Sequence, residues 1–112
     1  MKIYHNPRCS KSRTTLEILQ EKGAEVEVVK YLESTPSVSE LKEILRKLGM
    51  KAEDIIRKGE KEYKENFKGA SLTEDEWIQA MVQYPKLIER PIVVKGDNAV
   101  IGRPPENVLK LL

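Results

Sequence analysis

Tyr4-His5-Asn6-Pro7-Arg8-Cys9-Ser10-Lys11-Ser12-Arg13 holds the only cysteine and the only histidine of the 112 residues, and the reading of this stretch decides the fold. Ile3 and Tyr4 are a short apolar start, and beyond Ser10 the residues Thr15, Leu16 and Leu19 share one helical face, so Cys9 falls at a strand-to-helix turn. Pro7 has no N–H for a sheet ladder and helps to end the strand. At such a turn the first helical N–H groups lack intrahelical partners and the dipole is positive, which favours a thiolate over a thiol. A lone cysteine is by default a small buried hydrophobe. Against that default stand Arg8, Lys11 and Arg13 around the sulfur and His5 four residues upstream, the cationic setting of a reactive thiol.

Downstream, Gly23 stops the first helix, and Val26-Glu27-Val28-Val29-Lys30-Tyr31-Leu32 reads as a β-branched strand, which completes a right-handed βαβ unit with parallel strands. Ser34-Thr35-Pro36 breaks the pattern. Ser37 and Glu40 form a capping box for a helix over 38–48, whose apolar face is Val38, Leu41, Leu45 and Leu48 and whose end is Gly49. A short helix over 51–57 has Ile55 and Ile56 as its anchor. The charged run Lys58–Lys64 reads as a solvated face or a loop. Thr73 and Glu76 cap another helix, with Trp77 and Met81 as core residues and Tyr84-Pro85 as its stop. Residues 91–95 and 98–101 are short strands joined through Gly96-Asp97, a primed two-residue hairpin turn. Arg103-Pro104-Pro105-Glu106 opens a terminal helix with Val108, Leu111 and Leu112 facing inward. A parallel pair followed by an antiparallel hairpin gives an α/β fold: one mixed four-stranded sheet in a thioredoxin-like arrangement, with a helical insertion at about 38–84 between the βαβ and ββα halves. The expectation is a single domain over residues 1–112.

Composition narrows the function classes. With 39% apolar and 34% charged residues, no apolar run long enough to span a bilayer and no signal-peptide core, a cytoplasmic protein without a membrane segment is expected. The net charge of +2 arises from 20 basic and 18 acidic residues interspersed along the chain, which is no footprint for nucleic acid. One cysteine permits no internal disulfide, so thiol chemistry must recruit a second thiol from another molecule. Arg57, Arg90 and Arg103 each lie at an element boundary, and arginine offers an oxyanion a rigid fork of donors. Each is a solvated surface arginine by default, and spacing alone does not single them out.

The residues 4–13, together with Tyr31-Leu32-Glu33, Ile56-Arg57-Lys58, Leu87-Ile88-Glu89-Arg90-Pro91-Ile92-Val93-Val94 and Arg103-Pro104, resemble in order the ArsC family of glutaredoxin-linked arsenate reductases. The resemblance implies a thioredoxin-like fold, Cys9 as the nucleophile that attacks arsenate, and His5 as the group that promotes its ionisation. It further implies that Arg57, Arg90 and Arg103 hold the oxyanion, with glutathione as co-substrate, glutaredoxin as recycling partner, and no bound cofactor or metal. A cis Arg90-Pro91 bond beside the thiol is expected from the fold. His5 also reads as an outward strand-end residue that packs or hydrogen-bonds. Asn6 and Ser12 read either as hydrogen-bond partners of the thiolate or as turn and cap residues. A monomer is expected. Alternatives are a thiol redox protein acting on another oxyanion or a glutathionylated substrate, and a module that binds transcription machinery. Regulators of that last kind often carry a second cysteine where Ser12 stands, so a dithiol switch is excluded here.

Overall fold

The computed structural model describes residues 1–112 and divides into two compact units. Met1–Ser34 and Arg90–Leu112 form a sheet unit; Thr35–Glu89 form a helical unit.

The sheet unit contains β1 (Lys2–His5), α1 (Ser10–Glu21), β2 (Glu27–Lys30), β3 (Ile92–Lys95) and β4 (Asn98–Ile101), and ends in a 3₁₀ helix over Pro105–Leu111. Its strand order is β2-β1-β3-β4, with β1 parallel to β2 and antiparallel to β3, and β3 antiparallel to β4. This is the mixed thioredoxin-like sheet expected from the order of elements. Ile3, Leu19, Val93, Val108 and Leu111 form its hydrophobic core, so α1 and the terminal helix cover the same face of the sheet. Tyr4 and Ile92 are paired across β1 and β3 and are buried as well, so the central strands are apolar on both faces.

Three details differ from the sequence reading. β2 stops at Lys30, not Leu32, because its partner β1 ends at His5, opposite Lys30; the chain then turns, with Glu33 and Ser34 N–H donating to Lys30 O. The terminal helix is 3₁₀, so residues three apart align: Pro105, Val108 and Leu111 are buried while Leu112 is 49% exposed rather than inward-facing. Both Arg90-Pro91 and Arg103-Pro104 are cis; only the first was expected. In the hairpin, positive φ occurs at Gly96 and not at Asp97, the pattern of a II′ turn.

The helical unit contains α2 (Val38–Leu48), a 3₁₀ turn (Ala52–Ile55), α3 (Lys61–Asn66), α4 (Glu74–Gln83) and a second 3₁₀ turn (Pro85–Leu87). Both capping boxes are formed: Ser37 Oγ accepts from Glu40 N–H at 3.1 Å, and Thr73 Oγ1 accepts from Glu76 N–H at 3.2 Å. Gly49, at φ +68°, closes α2. Trp77 and Met81 are core residues of α4, at 3% and 0% exposure. The expected helix over 51–57 is shorter, because residues 55–57 are drawn into an antiparallel pairing with 87–89: Arg57 N–H donates to Leu87 O at 2.7 Å and Glu89 N–H to Ile55 O at 2.9 Å. Part of the charged run is helical after all. α3 buries no residue fully, but Tyr63 stacks on Trp77 and Phe67 meets both Trp77 and Tyr84, and these aromatics hold it.

Candidate active site

Cys9 is the N-cap of α1. Its carbonyl accepts the first helical hydrogen bond from Arg13 N–H at 3.0 Å, and its own N–H closes the turn onto Asn6 O at 3.0 Å. The sulfur is therefore at the positive end of a twelve-residue helix, and the residue is only 8% exposed. Arg103 reaches it from the far end of the sheet unit's sequence: Nη2 donates to Cys9 Sγ at 3.4 Å. The same guanidinium is aimed by its Nε, which donates to Arg90 O at 2.7 Å. One planar fork thus ties the thiol to the residue preceding the cis Pro91. Arg90 is half-buried, with its Nε and Nη1 shielded from solvent.

The chain can place Arg103 there because Gly102 lies against Thr15 and Pro91. A Cβ at Gly102 would come within 2.6 Å of Thr15 Oγ1 and 2.7 Å of Pro91 Cγ, and Gly102 N–H donates to Pro91 O at 2.9 Å. Sequence reading overlooked this residue. Its position directly before Arg103-Pro104 was the available signal.

His5 is buried at 6% exposure, which rules out the outward-facing reading. Its Nδ1 is 2.7 Å from Ser12 Oγ, and the same oxygen accepts from Asn6 N–H at 3.1 Å. Burial, with added repulsion from Lys30 and Arg13, pushes the His5 pKa below its ordinary value of 6.5, so the imidazole is neutral near pH 7. A neutral ring has no charge to lend a thiolate. The hydrogen bond that His5 makes is to Ser12, in the first turn of the helix that follows Cys9. Asn6 Oδ1 accepts from Arg8 N–H at 3.0 Å, and Arg13 Nη1 donates to Pro7 O at 2.9 Å. Of the two readings open for Asn6 and Ser12, turn and loop geometry is the one these contacts support.

Arg57 belongs to the helical unit. Its Nη1 pairs with Glu60 Oε1 at 2.9 Å, and its Nε lies 3.8 Å from Glu89 Oε1. Glu60 follows at i+3, a spacing visible in the sequence. Glu89 arrives through the 55–57 and 87–89 pairing, which sequence reading did not foresee. The structure thus links Cys9, Arg90 and Arg103 by hydrogen bonds in one unit, and describes Arg57 within the other as a carboxylate-held guanidinium.

A buried thiol at a helix N-terminus, touched by a guanidinium, is suited to nucleophilic attack on an electrophile that carries negative charge. The chain is similar to known proteins over its whole length. The model of the ArsC family matches residues 4–111. An arsenate reductase of Neisseria meningitidis serogroup B is 46% identical, over 100% of this chain and 97% of its own. The uncharacterized protein YfgD of Escherichia coli is 54% identical, over 100% of this chain and 96% of its own. The solved structure of an arsenate reductase from Vibrio cholerae superposes with a TM-score of 0.95 at 50% identity, covering 100% of this chain and 98% of that one.

Proposed function

This chain belongs to the ArsC family, and from that membership we propose that it reduces arsenate to arsenite with Cys9 as nucleophile, glutathione as co-substrate and glutaredoxin as recycling partner. The observation that carries the reading is the 3.4 Å contact from Arg103 Nη2 to Cys9 Sγ. A guanidinium on the sulfur offers further donors to an oxyanion that approaches it.

The chemistry follows from that pair. Cys9 thiolate forms a sulfur–arsenic bond while one arsenic–oxygen bond breaks, and the oxygen leaves as water after taking up protons. Arg103 and Arg90 offset the charge of the oxyanion through the displacement. Arsenic then gains two electrons from glutathione and the glutaredoxin thiol. In sum, arsenate, glutathione and reduced glutaredoxin give arsenite, water and the mixed disulfide of glutathione and glutaredoxin, with Cys9 regenerated. Arg57 is assigned to the oxyanion by the family resemblance. Its engagement with Glu60 and Glu89 means that an arriving oxyanion competes with carboxylates for the same fork.

Arsenate binding to Cys9→Ser, measured by calorimetry, tests the division of labour. The variant should retain binding, because the arginines supply most of the attraction, and Arg90→Lys should weaken both binding and turnover of the otherwise unaltered chain. Loss of binding in Cys9→Ser together with full activity in Arg90→Lys would overturn this reading in favour of a thiol redox protein with a different substrate.

A further inference from the structure

Beside the Cys9 loop lies a cleft of about 230 Å³ that the steps above leave unused, lined by His5 to Arg8 from one segment and Lys30, Leu32 and Glu33 from another. It is open to solvent. Arg8, Lys30 and Glu33 are exposed and pair with no charged side chain of the protein, in contrast to the carboxylate-held Arg57. Pro7 and Leu32, the latter 39% exposed, add apolar surface to the lining. Two cations and one carboxylate in a partly apolar lining do not suit arsenate, which Glu33 would repel. The lining has no Tyr, Phe or Trp to serve as a stacking platform for bases. The complement is a short, extended molecule with two carboxylates and one ammonium.

We propose that this cleft binds the reducing thiol as a zwitterionic peptide of that charge pattern, the chemistry of glutathione, with Arg8 and Lys30 pairing with its carboxylates and Glu33 with its ammonium. The inference rests on the reading above that the reductant is a peptide thiol. Sequence adjacency gives it a purpose: Arg8 is the residue before the nucleophile, and the neutral His5 that lines the cleft is also bonded to Ser12 in the loop that holds Cys9. The cleft recognises the peptide by its ends.

S-methylglutathione, which cannot exchange disulfides, is the probe. Titrated into the wild-type protein, it should shift the backbone amide resonances of Asn6, Arg8 and residues 30–33. Lys30→Glu and Arg8→Glu should each weaken its affinity about fivefold, as expected for reversing an exposed pair, and the dimethyl ester of the probe should bind no better to wild type than to these variants. All three side chains are exposed, so the variants fold. Resonance shifts confined to other residues, or an affinity indifferent to both substitutions and to esterification, would overturn the proposal. The two readings separate cleanly: probe binding without arsenate reduction supports the cleft and removes the proposed reaction. Arsenate reduction whose KM for glutathione is unmoved by Lys30→Glu and Arg8→Glu keeps the reaction and removes the cleft.

Discussion

Gly102→Ala places a methyl group where none fits. Its Cβ would lie 2.6 Å from Thr15 Oγ1, 2.7 Å from Pro91 Cγ and 3.1 Å from Thr15 Cγ2. Neither neighbour is the loose end of a long side chain: Thr15 is 0% exposed and its hydroxyl donates to Lys11 O at 2.8 Å, while Pro91 is a ring joined to Gly102 through the 2.9 Å hydrogen bond. The φ of Gly102 is not positive, so the cost is one of space and not of backbone conformation. Overpacking of this kind costs about 1–3 kcal/mol. At about 4 °C per kcal/mol for a chain of this size, thermal unfolding followed by circular dichroism should show a midpoint lower by about 4–12 °C. Because Arg103 is the next residue, kcat/KM for arsenate should fall as well. Adding Thr15→Ala removes two of the three contacts, so the double variant should be less destabilised than the sum of the singles. A Gly102→Ala midpoint within about 1 °C of wild type would refute the reasoning, since about 1 kcal/mol is the smallest cost it allows.

Ser12→Ala should lower stability by about 1–3 kcal/mol, read as a lower urea midpoint at unchanged m-value, because it strands His5 Nδ1 and Asn6 N–H in a buried loop; a loss below about 0.5 kcal/mol would contradict the role of Ser12 Oγ as their common partner. Arg103→Lys keeps the charge but cannot bond Arg90 O and Cys9 Sγ from one planar group, so kcat should fall about ten- to a hundredfold in steady-state kinetics, and an unaltered kcat would count against it. His5 resists protonation in the folded protein and takes up its proton near pH 6.5 in the unfolded chain, so its contribution is present above that pH. Stability falls as pH drops from about 6.5 toward the lower folded value, by up to about 1.4 kcal/mol per pH unit, and chemical denaturation over pH 5–8 should show that slope flattened in His5→Gln.

What the sequence disclosed was mostly local. The capping boxes at Ser37 and Thr73 and the Gly96-Asp97 hairpin depend on residues a few positions apart, and each formed as read. The default outward-facing reading of His5 fails because β1 is a central strand between β2 and β3 and is covered on both faces. The pairing of residues 55–57 with 87–89 joins short segments far apart in the chain, too brief for any periodicity to announce, and it brings Glu89 to Arg57. α3 was obscured by its charges, although Tyr63 and Phe67 at i, i+4 carried the helical signal. The candidate site divides in the same way. Cys9 at a helix start was legible from residues 4–13, while the reach of Arg103 to its sulfur depends on a glycine contact that only the folded chain reveals.

The central claim, that Cys9 performs arsenate reduction, is tested most directly by arsenate-dependent NADPH oxidation in the presence of glutathione, glutaredoxin and glutathione reductase. Wild-type protein should sustain NADPH consumption with stoichiometric arsenite formation, and Cys9→Ser, folded to the same thermal midpoint within a few degrees, should show none. A folded wild-type protein that leaves arsenate untouched, or a Cys9→Ser variant that still turns it over, would contradict the account.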